Sequence, residues 1–180
     1  MTEPTWSEVA VTALGPLCEA VGLQARSETR GATADARLWS GRYAAVLFWP
    51  SAGDQLSEDV GVAEAWFADF LASEEALRGA RVLDGYLLLG LSAKVDDAGV
   101  ALVREIELST RICRKQVMWP EETGEWRRFD AVTVLGLPPG VTSAEGEPAW
   151  PKHGAAASAL WAEIQEHGAP QAAQLEARRP

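Results

Sequence analysis

The sequence contains few cysteines and histidines, the side chains that most often act as thiol nucleophiles, metal ligands or bases near neutral pH. Among its 180 residues there are only two cysteines and two histidines. Cys18 and Cys113 have no CxxC spacing, and neither His153 nor His167 stands at zinc-ligand spacing from a cysteine. It also lacks a Gly-x-Ser-x-Gly nucleophile elbow, a Walker A loop and a Gly-x-Gly-x-x-Gly turn. These absences favour a protein that uses no metal, no cofactor and no familiar catalytic site.

Long apolar runs and a secretion signal are also missing. The longest apolar runs, Tyr43–Trp49 and Tyr86–Leu91, have the length of strands and fall far short of the roughly 20 residues of a membrane-spanning helix. The opening residues Met1–Trp6 are acidic and polar, unlike a signal peptide. We therefore expect a cytoplasmic protein with no membrane contact, in which both cysteines stay reduced and pack as small apolar side chains.

Positive charge is scarce, with one local exception. Lysine and arginine total 16 against 26 acids, so the formal net charge is −10, which disfavours direct contact with nucleic acid or anionic lipid. The stretch 109–119, here called the basic segment, has no acid and three bases: Arg111, Arg114 and Lys115. This pattern predicts a contact surface for a protein or a nucleic acid. The alternative is that these bases pair internally with Glu105 or Glu107.

The apolar residues that are present predict a globular α+β (or α/β) fold. They make up 47% of the chain, enough for a core. Helical spacing follows a Thr5–Glu8 capping box and recurs over Glu58–Leu77 and Ala155–Gln165. Strands are predicted at Arg42–Trp49, Arg81–Leu91, Val100–Leu108 and Ala131–Leu137, while Thr110–Trp119 fits either a strand or a helical turn.

These elements predict a mixed sheet of about four to five strands with helices packed on it in a single domain. Residues 1–140 form the core domain in this scheme, and residues 141–180 form a Pro/Gly-rich arm and a C-terminal helix. Arg42–Trp49 is apolar on both alternations, which predicts a central strand covered on both faces. Gly15-Pro16 predicts a kink or break in the first helix. We expect Phe67, Phe70 and Leu71 to pack on the sheet.

Three acids support a nuclease-like alternative. Asp84, Glu105 and Glu107 lie on consecutive predicted strands, the arrangement in which metal-dependent nucleases present carboxylates. However, Glu105-Ile106-Glu107 lacks a lysine two positions after the first acid, and Lys115 is too distant in sequence to replace it. The competing interpretation is that the three residues are ordinary surface acids at strand ends, without a catalytic role.

Tryptophan is abundant, with eight copies against four phenylalanines and two tyrosines. Trp39, Trp49 and Trp66 fit the core or its edge. The remaining candidates lie in or beside loops, where tryptophan can anchor a partner or line a ligand pocket. The candidate interface residues among them are Trp119, Trp126 and Trp150. Packing within their own loops is the competing interpretation, and a Trp-lined pocket would make the protein a small-ligand sensor.

Two segments together resemble a known family. One is the acidic helix Glu58–Leu77 running into Val82–Leu89, and the other is Ile106–Met118, in which an acidic stretch precedes Arg-Lys and an apolar pair. They resemble the small middle components of bacterial ABC-type three-component defence systems, the Lamassu-like operons. The resemblance covers Arg42–Trp119 and leaves Glu121–Pro180 outside.

The resemblance implies a non-catalytic adaptor. In that family the middle component is set between an SMC/Rad50-like ATPase and an effector such as a nuclease, so any association with DNA is indirect. The three bases of the basic segment, Arg111, Arg114 and Lys115, match the basic segment of the family and become candidate contacts. We therefore expect a cytoplasmic adaptor in anti-phage or anti-plasmid defence, with protein partners and no cofactor.

Overall fold

A five-stranded β-sheet organises the chain. In the computed structural model, the described residues are 5–27, 31–78, 82–126, 128–137 and 154–168, with residues 171 and 173. The sheet runs β1-β2-β3-β4-β5 in chain order. Its strands are β1 (Gln24–Arg26), β2 (Arg37–Ser40), β3 (Ala44–Pro50), β4 (Asp84–Gly90) and β5 (Arg114–Met118).

The sheet is mixed because its two halves are connected differently. Strands β1, β2 and β3 pair antiparallel, whereas β3, β4 and β5 pair parallel. Parallel neighbours need long crossovers, which are usually helical. Helix α2 (Leu56–Leu77) supplies the crossover from β3 to β4, and α3 (Asp97–Leu108) supplies the one from β4 to β5. This is the α+β arrangement that the sequence predicts.

Helix α1 (Trp6–Ala20) precedes the sheet and begins as predicted. The Thr5 hydroxyl accepts a hydrogen bond from the Glu8 amide at 3.3 Å, and the Glu8 carboxylate accepts one from the Thr5 amide at 2.7 Å. These reciprocal bonds form a capping box. The predicted break at Gly15-Pro16 is wrong, because α1 continues through Pro16 to Ala20.

Both faces of the sheet are covered by apolar side chains. One face packs against α2 and α3, through Ala63, Phe67, Leu71, Val103 and Ile106. The other face packs against α1 and two 3-10 turns, through Ala10, Leu14, Cys18, Phe129 and Val134. This arrangement explains why β3 is apolar on both alternations and confirms that it is a central strand. Phe67 and Leu71 are buried as predicted, whereas Phe70 is only partly buried.

Two predicted strands are wrong. Val100–Leu108 belongs to helix α3, whose first turn is capped by the Asp96 carboxylate, which accepts a hydrogen bond from the Gly99 amide at 2.8 Å. Only Val103 and Ile106 of this helix are buried, and their spacing of three residues fits one face of a helix. Ala131–Leu137 contains parts of two 3-10 turns, Arg128–Ala131 and Thr133–Gly136, instead of a strand.

The chain divides into two compact units, Met1–Ser143 and Ala144–Pro180. The sheet, helices α1 to α3 and both 3-10 turns lie in the first unit. The second unit contains α4 (Ala155–His167), which is flanked by Gly154 and Gly168. Of the helices in the described ranges, none has the length and apolarity needed to cross a membrane.

Candidate functional site

The basic segment joins the end of α3 to strand β5. Arg111 lies in the loop after Leu108, and Arg114 and Lys115 are the first two residues of β5. Because successive side chains of a strand point to opposite faces, Arg114 and Lys115 diverge. Lys115 shares its face with Cys113 and Val117, which pack with α2 and α3. The three bases therefore occupy three different environments.

Lys115 is enclosed in the protein. Its side chain is 1% exposed, and its Nζ lies 2.6 Å from Glu64 Oε1 on α2. This contact is an ion pair, because the angles at Glu64 Oε1 do not fit a hydrogen bond from the ammonium group. The ammonium also donates a hydrogen bond to the carbonyl of Ser109 at 2.8 Å. Lys115 therefore fixes the loop before β5, and its side chain is enclosed instead of exposed at the surface where a partner was predicted to contact it.

Arg114 is exposed and pairs across the sheet surface. Its guanidinium lies 3.2 Å from Asp84 Oδ2 and donates a hydrogen bond to the Tyr86 hydroxyl at 2.6 Å. The guanidinium carbon also lies 5.4 Å from the centre of the Tyr86 ring, within range of a cation–π contact. Burial, followed by the charge of Asp84, raises the pKa of Tyr86, so the phenol stays neutral beside these charges.

Among the described residues, Arg111 is the base of the segment whose charge is unpaired. It is exposed, and it makes neither an ion pair nor a side-chain hydrogen bond with any residue that the structure describes. Glu105 and Glu107, the predicted internal partners of these bases, bind none of the three within that set. Arg114 and Lys115 pair with Asp84 and Glu64 instead, so internal pairing occurs but not with the predicted acids.

A cleft opens where β4 and β5 begin, and we call it the β4–β5 cleft. Its volume is about 430 Å³. A hydrogen bond of 2.8 Å from the Leu83 amide to Glu75 Oε1 ties the start of β4 to α2 beneath it. The walls come from the C-terminal half of α2, the residues before and at the start of β4, and the loop before β5: they include Leu71, Glu75, Val82, Asp84, Ile112 and Arg114.

The rim of the β4–β5 cleft is apolar and open to solvent. Val82 is 82% exposed and Ile112 is 44% exposed. Leu77 and Leu108, the last residues of α2 and α3, are exposed as well and lie at the same end of the sheet because each helix leads into the start of a parallel strand. None of these four residues is among the interface candidates predicted from the sequence. A signal was available, since each is an apolar residue at an element end next to charged or turn-forming neighbours.

Cys113 lines the same cleft but is poorly suited to nucleophilic chemistry. Burial raises the pKa of its thiol to about 11, and the nearby Lys115 charge offsets only part of that effect. Thiol nucleophiles react as thiolates, so a thiol of this kind is inert near neutral pH. Both cysteines are buried and free.

The three acids of the nuclease alternative do not share a sheet edge. Asp84 begins β4, whereas Glu105 and Glu107 lie on helix α3 and not on the neighbouring strand. Glu107 Oε1 also accepts hydrogen bonds from the Val117 amide at 3.0 Å and from Arg128 at 3.1 Å. Across the described parts of the chain, no group of three histidine, cysteine or acidic side chains is arranged to hold a metal ion. The geometric basis of this alternative is therefore wrong.

The candidate tryptophans fall into three situations. Trp126 is 9% exposed and stacks on Trp6 and Phe129 at centroid distances of 6.3 and 6.0 Å, so it belongs to the core and not to the free surface. Trp119 is partly buried and carries the Arg128 guanidinium 4.5 Å above its ring. Trp119 and the residues that follow it line a cleft of about 670 Å³. A ligand site lined by tryptophan stays a prediction there. Trp150 lies outside the described residues.

No protein-family model, curated protein or solved structure matches this chain.

Proposed function

We propose that this protein is a non-catalytic adaptor that binds a protein partner at the β4–β5 cleft. The observation that carries the proposal is the exposed apolar rim, Val82 and Ile112. Arg111, which directly precedes Ile112 in the chain, is exposed and unpaired within the described residues. Apolar side chains grouped at a concave surface and edged by charge are typical of protein-binding sites. Arginine suits such a site because its planar guanidinium can bind a carboxylate through two parallel hydrogen bonds.

The charge of the chain favours a protein partner over DNA. A net charge of −10 opposes direct contact with phosphate backbones, and two of the three bases in the basic segment are already paired. The segment Arg42–Trp119, which resembles the middle components of ABC-type three-component defence systems, contains the whole β4–β5 cleft. We therefore propose an SMC/Rad50-like ATPase as the partner, an effector as the third component, and the cytoplasm as the location. Contact with DNA is then indirect.

Co-expression with the products of the neighbouring genes tests the proposal. The expected result is a stable complex with a large ATPase, and no turnover by the adaptor alone. The double variant Val82→Asp with Arg111→Glu should abolish the complex at an unchanged melting temperature, because both side chains are exposed.

The matched control is Val100→Asp with Arg104→Glu, which makes the same chemical changes at exposed positions of α3. This control should bind the ATPase normally. Assembly that survives the cleft variant, or that fails equally in both variants, would contradict the proposal.

A further inference from the structure

A second cleft, at the same end of the sheet but beside β1 and β2, concentrates positive charge. We call it the arginine cleft. Its volume is about 530 Å³, and its lining is Gly22, Gln24, Arg26, Ser40, Gly41, Arg42 and Arg78. Three arginines in one cleft are unexpected on a chain of net charge −10. They come from three separate elements, which the fold brings together: β1, the β2–β3 turn and the residue after α2.

One buried acid positions two of these arginines. Glu74, in the last turn of α2, is 9% exposed, and its Oε1 lies 3.1 Å from the Arg26 guanidinium. Its Oε2 accepts a hydrogen bond from Arg78, which also donates to the carbonyl of Gly41. The two guanidinium groups are therefore held in place before any ligand arrives, which reduces the entropy lost on binding.

The third arginine is unpaired. Arg42 is exposed in the turn between β2 and β3, and it makes no ion pair or side-chain hydrogen bond within the described residues. Glu74 is the only acid that pairs with Arg26 or Arg78 in that set, so the three arginines leave two positive charges uncompensated at the cleft.

An unused hydrogen-bonding group lies in the wall of the same cleft. Ser40, the last residue of β2, is 5% exposed, and its hydroxyl has no hydrogen-bond partner in the described structure. Buried hydroxyl groups without a partner are uncommon because they lose the hydrogen bonds of water without replacement. The hydroxyl oxygen is itself enclosed, so a ligand oxygen in the cleft would supply the missing partner once the Ser40 side chain turned toward it.

We propose that the arginine cleft binds a small molecule that carries a terminal phosphate group. A phosphate monoester has a charge of about −2 near neutral pH and three acceptor oxygens, which match the two excess positive charges and the guanidinium and hydroxyl donors. The volume of the arginine cleft falls within the roughly 300–1,000 Å³ of small-molecule sites. The cleft therefore has room for the organic part of the ligand as well as the phosphate.

Titration calorimetry with inorganic phosphate, AMP and adenosine tests this inference on the full chain. We expect saturable binding of AMP, weaker binding of phosphate alone and none of adenosine. Arg42→Ala should weaken AMP binding by about tenfold or more, since one charge-assisted contact is lost. Equal affinity for phosphate and AMP would overturn the proposal that an organic part is recognised.

The control is Arg104→Ala, which removes the same charge from an exposed position on α3. It should leave AMP affinity unchanged, and neither variant should alter the melting temperature. No saturable binding of AMP, an equal loss in both variants, or tighter Arg42-dependent binding of a single-stranded oligonucleotide would overturn the proposal. Binding of the ATPase at the β4–β5 cleft is measured separately, so either proposal can fail without the other.

Discussion

Lys115 and Glu64 form an ion pair that water barely reaches, with side-chain exposures of 1% and 15%. Replacing Lys115 with methionine keeps most of the side-chain volume but leaves the Glu64 carboxylate without its cation. We predict a loss of about 3–5 kcal/mol in the free energy of unfolding, because a buried charge deprived of its partner is strongly destabilising. Urea denaturation followed by tryptophan fluorescence measures this loss.

Two comparisons check that the loss comes from the unpaired carboxylate. Combining Lys115→Met with Glu64→Gln should recover part of the stability, since no unpaired charge is left. Arg114→Ala breaks the exposed pair with Asp84 and should cost at most about 1 kcal/mol. If Lys115→Met costs no more than Arg114→Ala, the buried pair does not stabilise the loop before β5.

The thiols of Cys18 and Cys113 should be unreactive toward thiol reagents in the folded protein near neutral pH. Burial is the first cause that raises the pKa of Cys18 to about 12 and that of Cys113 to about 11, from an ordinary value of 9.0. A raised thiol pKa lowers the thiolate fraction near neutral pH, so reaction with a disulfide reagent should be slow and should accelerate as the pH rises toward about 11. Denaturant should release two fast-reacting thiols. Rapid labelling of the native chain near neutral pH would contradict the burial of these cysteines.

At the scale of the element, α2 has one fully buried aromatic residue and others that are partly exposed. Phe67 is 0% exposed, and Phe70 stacks beside it at a centroid distance of 6.2 Å while being only partly buried. We predict that Phe67→Ala costs about 3–5 kcal/mol and that Phe70→Ala costs clearly less. Chemical denaturation of the two variants measures the difference. Equal losses would mean that both rings are equally enclosed, contrary to the packing of α2 on the sheet.

The central elements could be predicted from the sequence because their signals lie within a few residues of one another or appear on both faces of the element. The Thr5–Glu8 capping box lies within four residues, and β3 is apolar on both alternations, which only a strand covered on both faces requires. The sequence predicts a strand where helix α3 lies because the apolar residues Val100, Leu102, Ile106 and Leu108 are also compatible with the two-residue alternation of a strand. Asp96 is a signal for the helix, because an aspartate before an apolar-periodic segment is typical of a helix N-cap.

The candidate site was harder to predict because its charges are paired over long distances in sequence. Arg111 and Arg114 are exposed as expected, but Lys115 pairs with Glu64, 51 positions earlier in the chain (115 − 64). Only the packing of α2 against β5 brings these two charges together. Similarly, Trp126 is enclosed because it stacks on Trp6 from the start of α1. The sequence next to Lys115 or Trp126 therefore does not indicate that the side chain is buried, because the partner lies far away in the chain.

At the scale of the whole molecule, the β4–β5 cleft and the arginine cleft lie at the same end of the sheet. The body of the protein is acidic, whereas the same end of the sheet presents an apolar rim at β4 and β5 and three arginines beside β1 and β2. An adaptor that binds a protein at the first cleft and a phosphate-bearing ligand at the second would hold both at one end of the fold.

Hydrogen exchange on the free protein and on its complex with the proposed ATPase partner tests the adaptor proposal most directly. We predict that backbone amides of residues 82–85 and 110–114 exchange more slowly in the complex, because these segments contain the residues that line the β4–β5 cleft outside α2. Amides of the exposed first turn of α3, which contains Val100, should be unchanged. Unchanged exchange at both rim segments, with protection confined to other surfaces, would contradict the proposed interface.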